Sequence, residues 1–202
     1  MAEPREIYRD RWLVVLEKPY GMPTQARADR DGNDLFGWLK ATEPLASLHH
    51  RLDQPASGLV LFAVHPDANR GLTEAFRNHT IARRYRVVLA GTPRAAAWTW
   101  EVDGKQARSE VEVLGSDNGF CAARVSLETG RKHQIRIHAS MAGTPVVGDR
   151  RYGAEAGRMW PRLALHAAEL HLSHPVTGGA LTLYSPLPDD LQELWELAGG
   201  PG

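Results

Sequence analysis

Two short stretches hold most of the side chains that could do chemistry. In the first, His50-Arg-Leu-Asp53, a carboxylate sits beside a guanidinium in a segment with no hydrophobic period. Alone, such an aspartate reads most readily as a surface ion pair or a cap. The second, Thr129-Gly-Arg-Lys-His-Gln-Ile-Arg-Ile-His138, packs Arg131, Lys132 and Arg136 with His133, Gln134 and His138 into what the pattern predicts to be a helix start. A helix N-terminus favours anions through its unpaired N–H groups, so cations added there suit a phosphate or a carboxylate. On that helix Arg131 would share a face with Gln134, and Lys132 with Arg136. The chain has 9 histidines, with His166, His171 and His174 clustered late. None forms the i, i+4 pair with an intervening Glu that zinc proteases use, so no metal is expected. A single cysteine, Cys121, excludes an internal disulfide, Cys-based structural zinc and dithiol redox chemistry.

The elements that must hold these stretches follow from hydrophobic pattern and turn signals. Trp12–Leu16 reads as the first strand, a buried one, closed by the turn Lys18-Pro-Tyr-Gly21. Leu35–Lys40 is a short helical turn, Leu48–Gly58 a loop, and Leu59–Val64 a central strand. A helix should run from Pro66 to Asn78, with Leu72, Ala75 and Phe76 on one face. A strand over 82–90 is followed by short strands over 98–102, 107–114 and 120–127, joined by Asp103-Gly104 and Asp117-Asn-Gly119. The spacing predicts a helix over Thr129–Met141, stopped by Gly143, and a hairpin of His166–Ser173 with Ala180–Tyr184. Pro188–Ala198 is an amphipathic helix with Leu191, Leu194, Trp195 and Leu197 inward. Because most neighbouring strands are joined by short turns, the class is α+β, with a largely antiparallel mixed central sheet flanked by helices.

The 202 residues, 43% hydrophobic and 24% charged, suit one soluble globular domain spanning residues 1–202, with neither a linker nor a repeat to divide it. No apolar run is long enough to span a bilayer. The charged opening Met-Ala-Glu-Pro-Arg-Glu lacks the apolar core of a secretory signal, so a cytoplasmic protein is expected. The formal net charge of zero conceals an asymmetry, because every Lys and Arg lies at or before Arg162, and residues 1–162 carry +5. Arg77, Arg83, Arg84, Arg86 and Arg94 fall in a stretch without an acid, and Asp149 is the one acid among five cations over 131–151. Charge runs are usually solvated faces, yet clustering of this kind is also what a polyanion requires.

These residues match a known pattern: the chain resembles the RluA-type RNA pseudouridine synthases over nearly its whole length. Four segments carry the resemblance, in the family's order. They are Lys18-Pro-Tyr-Gly-Met-Pro23; His50-Arg-Leu-Asp-Gln-Pro-Ala-Ser-Gly-Leu59; Thr129–His138 continued through Gly148-Asp-Arg-Arg-Tyr152; and Leu163–Pro175, with Leu165-His-Ala167 and His174-Pro175. The two central ones are long and specific.

The resemblance implies the pseudouridine synthase fold with an active-site cleft across the sheet, and isomerisation of uridine to pseudouridine in transfer or ribosomal RNA. Asp53 takes the position of the catalytic aspartate. A carboxylate is already ionised at neutral pH and could attack a sugar carbon, stabilise charge on the ribose, or take a proton from C2′. Arg136 aligns with the basic residue that pairs with it, and Tyr85 with the active-site tyrosine that stacks on uracil. Arg51 resembles an arginine that helps displace the target nucleotide, since a base must leave its stack to react. His50, Arg83, Arg84, Arg131, Lys132 and His133 are the further RNA-binding candidates. Ala56 stands where the family usually has Thr, and Arg83-Arg84 where Lys is common before the tyrosine. An isomerisation needs no cofactor, and RNA is the expected partner of a monomer without a separate N-terminal RNA-binding domain. An idle RNA-binding module of the same fold and a metal-dependent hydrolase are the competing readings.

Overall fold

The computed structural model describes residues 2–26 and 33–202. Two compact units emerge, the first running to Ala82 and taking in Ala167–Ser185, the second comprising Arg83–His166 and Pro186–Gly202.

In the first unit, β1 (Arg5–Arg9) pairs antiparallel with β2 (Leu13–Lys18), which pairs with β4 (Ser57–Ala63); the short β3 (Ser47–Leu48) also pairs with β4. All seven residues of β4 are buried, as expected of a continuous apolar run at a sheet's centre. β9 (Leu165–Ser173) and β10 (Ala180–Tyr184) form the expected antiparallel hairpin. Two helices complete the unit. α1 (Leu35–Lys40) is capped by Asp34, whose carboxylate accepts from the Gly37 N–H, and α2 (Pro66–Arg77) has Pro at its first position and His65 as its cap. Leu13, Val15, Leu59, Leu61, Leu72, Leu170 and Leu172 make its core.

In the second unit, β5 (Ala82–Ala90) pairs with β8 (Phe120–Leu127), β8 with β7 (Ser109–Asp117), and β7 with β6 (Ala97–Trp98). The β7–β8 hairpin turns through Asn118 and Gly119, both at positive φ, the conformation that Asn-Gly is chosen for. The helices are α3 (Gln134–Met141) and α4 (Asp189–Leu197). All these strands belong to one ten-stranded, open sheet, mixed and largely antiparallel, flanked by helices. Among the described residues no helix is long and apolar enough to cross a membrane.

Four expectations need correction. β1 precedes the strand expected to be first; as an edge strand it exposes most of its side chains, so Arg-Glu-Ile-Tyr-Arg carries no apolar run to betray it. The strand expected over 98–102 is confined to Ala97–Trp98, with only a bridge between Val102 and Lys105 beyond it. Leu197 is exposed, not inward, because α4 buries only Leu191, Leu194 and Trp195. The helix expected from Thr129 begins at Gln134.

Candidate active site

The late start of α3 has a side-chain cause. Gln134 Oε1 accepts from Thr129 Oγ1 at 2.7 Å and from the Arg131 N–H at 3.0 Å, which folds residues 129–133 into a turn. His133 then enters the helix with φ 56°, a left-handed conformation held by a 2.8 Å bond between its Nδ1 and Tyr152 Oη. Arg131 and Lys132 therefore precede the helix and do not share its faces with Gln134 and Arg136. Both are exposed, with Arg131 Nε donating to the Gln106 carbonyl.

Gln134 also begins a directional chain. Its Nε2 donates to Ser109 Oγ at 3.0 Å, Ser109 Oγ lies 3.0 Å from His138 Nδ1, and His138 Nε2 lies 2.9 Å from the Trp100 carbonyl. A carbonyl can only accept, so Nε2 carries the proton and Nδ1 accepts from Ser109. Burial lowers the His138 pKa, and the Trp100 bond opposes it only in part; burial likewise lowers that of His49. In the unfolded chain both histidines charge at about pH 6.5, so below that pH the unfolded state binds more protons and stability is lost as pH falls. The urea midpoint is expected to be lower at about pH 5.5 than at about pH 7.5, and an unchanged midpoint would show that folding does not hold these imidazoles neutral.

Arg136 is buried on α3 and gripped by Asp149. Its Nε and Nη2 each donate to one carboxylate oxygen at 2.8 Å, with side-chain exposures of 6% and 0% for the two residues. Asp149 Oδ1 also accepts the Arg151 and Tyr152 N–H groups. Burial alone would raise the Asp149 carboxyl's pKa, but the Arg136 bonds and charge and these two N–H donors together lower it, so the pair is ionic. The Arg136 guanidinium carbon lies 5.1 Å from the Tyr152 ring centroid, and that of Arg151 5.3 Å. The guanidinium thus has a carboxylate on one side and an aromatic face on another, and its direction is set. Neither Asp149 nor Tyr152 received a role from the sequence, although Asp149 stood out as the lone acid among five cations.

The Asp53 loop is tied just as firmly, by a residue at the end of β2. Lys18 is fully buried, and its Nζ donates to the carbonyls of Pro19 and Met22 at 2.9 and 2.7 Å and of Gln54 and Ala56 at 3.2 and 2.5 Å. Two of these carbonyls, those of Gln54 and Ala56, follow Asp53 within three residues. Thr24 Oγ1 donates to the Leu52 carbonyl and accepts the Leu52 N–H, and the Gly21 N–H donates to the Gln54 carbonyl. Segment 18–24 therefore clamps 52–56, and Asp53 Cα can move little. A lysine ending an apolar strand was the available signal for this role. Lys18→Met keeps the bulk but strands carbonyls that the ammonium satisfied, at about 1–3 kcal/mol. It is expected to lower the melting temperature by roughly 2–12 °C and kcat by about tenfold, since a loosened loop misplaces its carboxylate. Wild-type kcat in a folded Lys18→Met protein would refute the positioning role.

The remaining candidates are distributed as follows. Asp53 is half-buried, and Arg51 beside it is exposed. His50 is buried, its Nε2 accepting the Leu61 N–H at 2.9 Å and its ring stacked on Phe76, so it holds the loop onto β4. Tyr85, in β5 opposite Val125, is buried. Arg83 and Arg84 precede it, half-buried, and Arg83 Nη2 donates to the Thr129 carbonyl at 3.3 Å. Among the described residues no group of three His, Cys, Asp or Glu side chains could hold a metal ion.

Comparison with known proteins accords with this arrangement. Residues 12–141 match the family model described as RNA pseudouridylate synthase. The chain is 33% identical to the ribosomal large subunit pseudouridine synthase D of Pseudomonas aeruginosa, covering 95% of this chain and 70% of that protein. It is 32% identical to the dual-specificity RNA pseudouridine synthase RluA of Escherichia coli K12, over 89% of this chain and 91% of that one. Among solved structures, human RNA pseudouridylate synthase domain containing 1 superposes with a TM-score of 0.75 at 24% identity, over 98% of this chain and 87% of that chain, which shows a shared fold. Matched through the stretch that carries Asp53, Tyr85 and Arg136, and alike over nearly its whole length, the chain belongs to the RNA pseudouridine synthase family.

Proposed function

We propose that this enzyme converts uridine to pseudouridine in ribosomal RNA, with transfer RNA as a second substrate class, and that Asp53 is its essential carboxylate. The observation that carries the reading is the clamp on residues 52–56: an acid held this rigidly beside an exposed arginine is built to act, not to solubilise a surface. The names of the relatives support the substrate, one being a ribosomal large subunit enzyme and another a dual-specificity one.

In the reaction the N1–C1′ bond breaks, the uracil turns, a C5–C1′ bond forms, the C5 proton leaves and N1 gains a proton. Nothing is consumed, so no cofactor is needed. Asp53 acts as nucleophile, as counter-charge to the ribose, or as base at C2′. Arg136, its fork held by Asp149 and its guanidinium over Tyr152, supplies the positive charge that partners that carboxylate. Tyr85 stacks on the uracil, with its oxygen near the C5 proton. Arg51 fills the gap left by the displaced nucleotide. Arg83, Arg84, Arg131 and Lys132 hold backbone phosphates, while His50 and His133 keep their loops in shape.

The test is to incubate the purified protein with unmodified ribosomal and transfer RNA and map pseudouridine by mass spectrometry. Pseudouridine at defined positions in ribosomal RNA is expected; its absence from both RNAs would overturn the proposal.

A further inference from the structure

The second unit contains a pocket that the proposed chemistry does not use. Residues between Arg150 and Pro161 line it, and its volume of about 930 Å³ would admit a nucleotide. Arg150 and Arg158 supply positive charge, Met159 and Trp160 apolar surface, and Glu155 a carboxylate.

Charge pairing sets these two arginines apart from three others of the same unit. Arg108 is matched to Glu128, Arg124 to Glu112 and Arg162 to Asp190, at 2.6, 2.6 and 2.8 Å. Among the described residues, neither Arg150 nor Arg158 makes an ion pair. Next to them Met159 leaves 53% of its surface in water. Two unmatched guanidinium groups beside exposed apolar side chains form a surface complementary to something anionic and flat.

The pocket is also built rather than loose. The Gly148 N–H donates to the Ala156 carbonyl and the Gly153 N–H to the Asp149 carbonyl, both at 2.8 Å. A side chain at Gly157 would put its Cβ 2.6 Å from the Asp149 carbonyl oxygen, so only glycine lets this turn lie on that backbone. Trp160 Nε1 donates to the Asp190 carbonyl at 3.2 Å, which fixes the indole. The turn that lines the pocket thus rests on the main chain of the residue whose carboxylate grips Arg136.

We propose that this pocket takes a second nucleotide of the substrate RNA, away from the uridine that reacts. The base lies against Trp160 and Met159, and its phosphate lies between Arg150 and Arg158. Glu155 accepts a hydrogen bond from an exocyclic amino group, which favours bases that carry one over uracil. The proposal rests on RNA being the substrate, and adds a hold on the strand beyond the reacting residue.

The probe is a short fluorescein-labelled single-stranded RNA, titrated by anisotropy against the full chain at several salt concentrations. Arg158→Ala is expected to weaken binding severalfold and to reduce the log–log salt slope by about 0.7, with Arg158→Lys retaining the slope. Trp160→Ala is expected to weaken binding by about tenfold at unchanged slope, and Trp160→Phe to bind as wild type, because it loses the Asp190 bond but keeps a stacking face. With ribosomal RNA, Arg158→Ala should raise KM and leave kcat unchanged. Unchanged affinity and slope in Arg158→Ala, or equal weakening in Trp160→Phe and Trp160→Ala, would overturn the proposal. RNA bound by the wild type without pseudouridine formation would overturn the proposed reaction instead, while the titrations still decide the pocket.

Discussion

Asp53→Asn is expected to abolish isomerisation while leaving RNA affinity within about tenfold of wild type, because phosphate contacts supply most of that affinity. The amide matches the carboxylate in shape, so the Lys18 bonds to the Gln54 and Ala56 main-chain carbonyls should persist. What disappears is the negative charge, and each role open to Asp53 requires it. An amide neither attacks a sugar carbon, nor balances a developing positive charge, nor takes a proton. Even if proton transfer were its only part, the loss would be roughly 10²–10⁴-fold, and a larger loss is expected if it also forms a covalent bond. Single-turnover pseudouridine formation, measured beside filter binding on the same RNA, checks both halves. Activity within tenfold of wild type would remove Asp53 from the chemistry.

Asp149→Asn is expected to cost about 3–5 kcal/mol of stability, because it leaves Arg136 a buried cation without the carboxylate that holds its Nε and Nη2. In a chain of 202 residues that lowers the melting temperature by roughly 6–20 °C. Stability alone does not explain why the pair exists, since buried ion pairs are often replaceable by apolar residues without loss. The double variant Arg136→Met/Asp149→Leu separates the two roles. It should recover part of the stability lost in Asp149→Asn, since no buried charge is left unmatched although the Arg151 and Tyr152 N–H groups lose their acceptor, and yet form no pseudouridine. Thermal melts of the single and double variants, with activity measured in parallel, make the cycle. A double variant that regains both stability and activity would reduce Arg136 to a structural residue.

Elements whose burial leaves a periodic trace were legible beforehand. β5, β8, α1 and α2 lie within a residue of where the pattern put them, since apolar runs, Pro at a helix start and Asn-Gly at a hairpin act locally. β1 was not legible, because an edge strand needs no apolar face. The start of α3 was hidden for another reason. Its position depends on Gln134 turning back on Thr129 and Arg131, and on His133 adopting a left-handed conformation, neither of which has a hydrophobic period.

The same division holds for the site. Sequence alone offered the candidates: the family resemblance singled out Asp53, Tyr85 and Arg136, because a motif fixes side-chain types at set spacings along the chain. Tertiary structure alone decided what holds them. Lys18 reaches Gln54 and Ala56 across 36 and 38 positions, and Asp149 reaches Arg136 across 13. A partner acts through distance in space, and the spacing of letters along a chain does not encode distance until strands and helices have packed.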